Sequence, residues 1–178
     1  MQVDFIDKMG SDLTVVNAAR VSYAKTKDLM DAKDEKLIKF LAEHNHLSPF
    51  GHASIQFRIK APIFVARQLV KHQVGLVWNE VSRRYVDYEP ELFEPKTWRG
   101  RPQNSKQGSD GEVELDMNDK HRLKNTMKQC LIIYDSFIKM GIAPEQARMV
   151  LPQSMMTEWY WSGTLYAFAM CKRHTRRN

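Results

Sequence analysis

The stretch Ser54-Ile55-Gln56-Phe57-Arg58-Ile59-Lys60 decides the fold class. Ile55, Phe57 and Ile59 alternate with Ser54, Gln56, Arg58 and Lys60. A period of two with β-branched and aromatic residues on one side predicts a half-buried strand. Helical patterns stand on both sides of it. Before it, Leu37, Ile38 and Leu41 form one apolar stripe behind Asp34, a helix-capping type; after it, Pro62 opens another helix. A strand set between helices predicts an α+β fold, with a central, largely antiparallel sheet flanked by helices. The expected organisation is one domain over residues 1–178, long enough for a real core.

Outward from this strand, Gln2 to Ile6 alternates and predicts a first strand, and Gly10-Ser11-Asp12 leads into a helix over Leu13 to Arg20. From Met117 to Met140, Leu123, Met127, Cys130, Leu131, Tyr134, Phe137 and Ile138 recur at threes and fours, which predicts a long helix with a core-facing stripe, closed by Gly141. Pro144 starts a short helix. Thr157 to Met170 is expected to form the last helix, with Trp159, Leu165 and Phe168 on its buried side. Prolines deny regular structure to residues 89–95. Residues 96–116 read as a long loop, which is either functional or a disordered insertion.

Composition narrows the function classes. The 43% hydrophobic and 27% charged content is that of a folded chain. Lys+Arg 27 against Asp+Glu 21 leaves +6, which suits either nucleic acid or small anionic substrates. Cys130 and Cys171 form no CxxC, so reduced thiols in a cytoplasmic protein are expected. The acidic start, Met1 to Asp7, lacks the apolar core of a signal peptide, and no apolar run approaches membrane-spanning length. His44, His46 and His52 have no carboxylate or Cys at ligand spacing, so no metal is expected.

The chemistry gathers in residues 61–88. A helix after Pro62 places Arg67 with Lys71, and Gln68 with His72, each pair four apart on one face. Gly75 breaks it. An extended 79–85 would then project Glu80, Ser82 and Arg84 to one side, and Val81, Arg83 and Tyr85 to the other. Arg and Lys suit a phosphate; Ser and Glu orient a polar heterocycle. No Gly-x-Ser-x-Gly, Walker loop or dinucleotide fingerprint is present, and neither Cys lies near this segment. A site of anchors without a nucleophile suits chemistry carried by a cofactor.

Lys71-His72-Gln73, an eight-residue spacer and Ser82, with Asn79-Glu80 before the Ser and Arg84-Tyr85 after it, resembles the signature of the flavin-dependent thymidylate synthases. Ala61 to Gln68, Ala19-Arg20-Val21-Ser22, His46-Leu47-Ser48-Pro49-Phe50-Gly51-His52 and Arg148-Met149-Val150-Leu151-Pro152 are similar to further family segments. The resemblance implies a homotetramer with sites formed between subunits. It implies bound FAD, reduced by NADPH, and transfer of a one-carbon unit from 5,10-methylenetetrahydrofolate to C5 of dUMP. Gln68, Lys71, Glu80, Ser82, Arg83, Arg84 and Arg148 would hold dUMP, with Arg148 reaching in from a neighbouring subunit. Ser22, His52, Lys71, His72, Gln73, Glu80, Thr164 and Tyr166 would face FAD. Glu80 and Ser82 stand closest to the chemistry, and Arg173 or Arg176 would assist ionisation of the pyrimidine.

The chain departs from the family pattern in three places. Lys71 for Arg keeps the charge but loses the bidentate fork, and Gln73 removes a permanent cation. Both weaken the grip on an anionic flavin or folate, with Arg83 available to compensate. Thr164 and Tyr166 stand where the family carries Asn and Arg, and the stop at Asn178 reads as a shortened chain or a divergent member. Two rivals follow. One is a related flavin and folate enzyme acting on another pyrimidine nucleotide or transferring a hydroxymethyl group. The other is a basic nucleic-acid-binding module using residues 98–106 and the tail, which predicts salt-dependent binding and no flavin.

Overall fold

A computed structural model describes residues 1–86, 88–104 and 108–176, with side chains through Lys172. In chain order the elements are β1 (Gln2–Met9), α1 (Asp12–Arg20), α2 (Ala32–Glu43), β2 (Ser54–Pro62), α3 (Ile63–Leu69), β3 (Leu76–Glu80), β4 (Trp98–Gly100), β5 (Asp110–Val113), α4 (Met117–Lys139), α5 (Pro144–Ala147), β6 (Met156–Thr164) and α6 (Leu165–Arg176). The main sheet runs β1-β2-β6-β3, antiparallel throughout. The α+β expectation stands. No helix among the described residues is long and apolar enough to cross a membrane.

Directly paired residues share a sheet face. Phe57 pairs with Trp161, Ile59 with Trp159 and Ala61 with Thr157, while Trp78 and Glu80 of β3 face Trp161 and Trp159. This face is the core. From α3, Val65, Ala66 and Leu69 pack onto it, and from α6, Phe168 and Cys171. Trp78 stacks on Trp159 with ring centroids 4.3 Å apart, and Phe168 meets Trp161 edge-on at 5.0 Å. The opposite face is polar: Gln56 donates to Ser162 at 2.8 Å and Arg58 pairs with Glu158 at 2.5 Å.

Residues 157–164 are strand, not the start of the last helix. Thr157, Trp159 and Trp161 are buried and alternate with Glu158, Tyr160 and Ser162. Placed centrally between β2 and β3, the β-branched and aromatic side chains fit a pleated, buried surface better than a helix stripe. The helix begins only at Leu165, where the Ala167 N–H donates to Thr164 Oγ1 at 3.1 Å.

Three further expectations change. The helix after Pro62 stops at Leu69, so Lys71 and His72 lie in the following turn and share no helix face with Arg67 and Gln68. Gly75, at φ +72°, folds that turn back so closely that an added Cβ would lie 3.0 Å from the Ala167 Cβ. The extended run ends at Glu80, and residues 83–85 form a turn, so the expected split of side chains to two faces holds only as far as Glu80. Within the expected loop 96–116, β4 and β5 pair as a short antiparallel ribbon. Residues 105–107 lie outside the described ones.

The α4 stripe is the covered side of its helix: Tyr134 is buried and Leu123, Met127, Cys130, Leu131, Phe137 and Ile138 are half-buried, whereas Ile132 and Ile133, which lie off the stripe, are exposed.

Asp34 is not the cap of α2. That cap is Asp31, whose carboxylate accepts from the Lys33 and Asp34 backbone N–H groups. Asp34 is 0% exposed and sits between Lys27 and Arg20, each at 2.5 Å. The Lys27 ammonium, seconded by the Arg20 guanidinium, holds the Asp34 carboxyl well below the usual carboxylate range. Asn17 ties the same segment down, exchanging two 2.9 Å hydrogen bonds with the Lys27 backbone. A depressed folded-state pKa contributes stability above the unfolded carboxylate value of ~3.9 and loses it as pH falls toward the folded value. Asp34→Asn is therefore expected to be less stable than the parent at pH 7, with the gap narrowing steadily below about pH 4. Urea unfolding midpoints across that range check it; a gap that stays constant with pH contradicts it.

Candidate active site

A cleft of about 480 Å³ opens beside the end of β3. Its walls come from α3 (Ile63, Ala66, Arg67), from the β3 end and following turn (Glu80, Val81, Arg83), and from residues 145–157 (Glu145, Arg148, Thr157 among them). Three separated stretches of chain thus converge. They meet because β6 lies between β2 and β3, so the strand entry at Thr157 comes to rest beside the strand end at Glu80.

Glu80 is tethered at both oxygens: Trp78 Nε1 donates to Oε2 at 3.1 Å and Thr157 Oγ1 to Oε1 at 2.6 Å. Arg83 is 7% exposed, donates to the Tyr88 carbonyl at 2.5 Å and lies over the Tyr88 ring at 4.6 Å. Arg84 stands at the rim, where its Nη2 donates to the Tyr85 hydroxyl at 2.7 Å and its Nε approaches Glu145 at 4.0 Å. Ser82 accepts the Arg84 backbone N–H at 3.3 Å. Arg148 begins the one-turn 3-10 helix Arg148–Val150 directly after α5, which places its side chain on the cleft of its own chain.

Of the expected nucleotide-holding residues, Glu80, Arg83 and Arg148 line the cleft, and Ser82 and Arg84 belong to the turn at its edge. Gln68 is exposed on α3 and Lys71 on the turn after it; neither lines the cleft. Arg67, Glu145 and Thr157 also line the cleft, beyond the expected residues. Arg67 was visible as a cation in the signature's lead-in; nothing in the sequence pointed to Thr157.

Of the expected flavin-facing residues, Glu80 lines the cleft, while His52, Lys71, His72, Gln73, Thr164 and Tyr166 gather elsewhere, around the start of α6. The turn of residues 71–75 meets β6 through the Thr164 N–H to the Gly75 carbonyl at 3.4 Å. The one-turn helix Ser48–His52 joins the same place through the Leu165 N–H to the Ala53 carbonyl at 2.8 Å. Lys71, Gln73 and His52 are exposed there, and His72 and Tyr166 half-buried. Ser22 is exposed on the short helix Val21–Tyr23, anchored beside the Asp34 ion pair. Thr164 uses its oxygen to cap α6, which leaves its O–H as a donor. Arg173 and Arg176 lie on α6, but their side chains fall outside the described residues.

A basic cleft with one fixed carboxylate, next to an open polar ledge, defines an α+β protein built to hold an anionic, hydrogen-bonding ligand. The family model described as thymidylate synthase complementing protein matches residues 4–175. A flavin-dependent thymidylate synthase of Thermus thermophilus is 40% identical over 165 residues, covering 92% of this chain and 60% of its own length. That of Kosmotoga olearia is 40% identical over 162 residues, covering 90% of this chain and 70% of its own. The crystal structure of the UMP/dUMP methylase PolB from Streptomyces cacaoi bound with 5-Br dUMP superposes with a TM-score of 0.82. It is 30% identical, over 93% of this chain and 74% of that one. The chain belongs to the thymidylate synthase complementing protein family. It spans 60% of the length of the Thermus relative.

Proposed function

We propose that this chain is a flavin-dependent thymidylate synthase that methylates dUMP to dTMP, taking its one-carbon unit from 5,10-methylenetetrahydrofolate. The convergence of Glu80, Arg83 and Arg148 on one cleft carries this reading. Arg83 and Arg148 hold the phosphate, where two guanidiniums give strong charge-assisted bonds. Glu80 and Ser82 orient the uracil ring and its ribose. The names of the relatives and the 5-Br dUMP held by the structural neighbour support the same assignment.

The donor set at the start of α6 fits FAD: Lys71 and His72 suit its phosphates, and Gln73 and the Thr164 O–H suit its polar groups, with the Ser22 hydroxyl on the helix Val21–Tyr23 as a further phosphate donor. Bound FAD, reduced by NADPH, supplies the reducing equivalents that turn the transferred unit into a methyl group. The ledge is open, and a neighbouring subunit of a homotetramer would close it. Exposed Val3 and Phe5 on β1, at 63% and 58%, and Ile132 and Ile133 on α4 are apolar surface of the kind such packing covers. Arg173 or Arg176 takes the role of assisting pyrimidine ionisation.

The visible absorption spectrum of the purified chain, with FAD added and dUMP in excess, is the test. A bound-flavin spectrum is the expected result; no bound flavin under those conditions overturns the reading. Gln73→Arg adds a cation to the ledge and is expected to tighten FAD by about tenfold, the scale of one charge-assisted hydrogen bond. Unchanged affinity in a fluorescence titration would remove Gln73 from the flavin site.

A second reading has one observation in its favour. The neighbour is a methylase of both UMP and dUMP and is also solved with 5-Br UMP, at a TM-score of 0.75 and 29% identity. Competition among dUMP, UMP and dCMP for turnover separates a strict deoxynucleotide enzyme from a broader one.

A further inference from the structure

We propose that Trp78 and Thr157 are positioning residues that hold the Glu80 carboxylate away from the arginines of the cleft. Acid and anion-binding groups thereby stay available to the same nucleotide. The inference rests on the nucleotide-binding reading of this cleft and concerns how its charges are kept apart.

Arg67, Arg83 and Arg148 line the cleft that Glu80 also lines. A free carboxylate among guanidiniums is drawn into charge-assisted pairs, which would quench both the acceptor and the phosphate site. Glu145, at the same cleft, shows the tendency by approaching Arg84 at 4.0 Å. Among the described residues, Glu80 makes no such ion pair. Its oxygens instead take neutral donors from two strands, the Trp78 indole at 3.1 Å and the Thr157 hydroxyl at 2.6 Å.

Both donors are themselves fixed. Trp78 and Glu80 are two apart on β3 and so share a face. The Trp78 ring lies against Trp159 at 4.3 Å and 19° and meets Trp161 edge-on at 5.9 Å. Thr157 is buried on β6, and its branched side chain has few rotamers. Arg83 is held in the same manner by neutral partners, the Tyr88 carbonyl and ring. Each Glu80 oxygen keeps a second lone pair, so the clamped carboxylate can still accept an N–H or O–H from the ligand. Orientation set before binding is orientation that binding need not impose.

The test measures binding of dUMP, uridine and inorganic phosphate to the FAD-supplemented full chain by calorimetry. Trp78→Phe keeps an aromatic ring but loses the N–H; Thr157→Val keeps the shape but loses the hydroxyl. Each is expected to weaken dUMP and inorganic phosphate by about tenfold as Glu80 turns to an arginine. Thr157→Ser is expected to recover most of the loss. In a Glu80→Gln background there is no charge left to quench the arginines, so the effect of Trp78→Phe on phosphate should vanish. A merely structural role would leave that loss intact, and an undiminished loss in the Gln background overturns the proposal. So does unchanged dUMP and phosphate affinity in both single variants. A parent chain that binds phosphate but not dUMP sinks the nucleotide reading alone, and the clamp is then judged on phosphate. A parent that binds neither sinks both.

Discussion

Trp159→Ala is expected to remove about 3–5 kcal/mol of folding stability, the range for deleting a large aromatic side chain from a core. Trp159 is 1% exposed on the central strand β6, opposite Ile59 on one side and Glu80 on the other. Its ring is the surface on which Trp78 stacks. Truncation therefore leaves a cavity that two rigid strands cannot collapse to fill, and it frees Trp78 at the same time. For a chain of this size the loss corresponds to a fall in Tm of roughly 6–20 °C. Trp159→Phe is the informative partner. The Trp159 indole N–H is buried with no hydrogen-bond partner among the described residues, so Phe loses volume but no bond and should cost well under half as much. Urea unfolding of the two variants gives the comparison. A loss below about 1 kcal/mol for Trp159→Ala would mean that β6 is not the centre of the core.

The second large effect concerns binding. Arg148→Ala should weaken dUMP by about 10- to 100-fold, corresponding to ~1.5–3 kcal/mol for a hydrogen bond to a charged group. Uridine, which has no phosphate, should lose little. Arg148→Lys should fall between, since Lys keeps the charge but cannot offer a planar fork to a phosphate. Arg148 is exposed on a one-turn helix, so the melting temperature should scarcely move. Equal losses for dUMP and uridine would place Arg148 away from the phosphate. The same substitution also tests the assembly. Mixing Arg148→Ala chains with Glu80→Gln chains and recovering activity would mean that a site draws its arginine from a neighbouring subunit. Failure to recover would favour the arrangement within one chain.

Much of this was legible along the chain. The alternation of residues 54–60 identified β2, and the threes and fours from Met117 to Met140 identified α4, because an element's own period reports which side of it is covered. The order Lys71-His72-Gln73, Glu80, Ser82, Arg84 pointed to the family, since motif spacing is itself a sequence property. Where the structure differs, two valid local signals compete. The residues from Thr157 onward carry an alternating set, Thr157, Trp159 and Trp161, merged with a helical one, Leu165 and Phe168. Taking them as one period hid the strand. Asp34 has the chemistry of a cap, and Asp31, three residues earlier, took that place.

The sequence by itself determined the α+β class, the family signature and the residue types of the site. The tertiary structure alone decided which of those residues meet. Placing β6 between β2 and β3 brought Thr157 to Glu80 across 77 residues of chain, and put Arg148 and Arg83 in one cleft. It also sent Lys71 and Gln73 to a separate ledge against α6. No periodicity encodes such pairings. They depend on the order of strands in the sheet, which is set by the burial of all four strands together rather than by the pattern of any one.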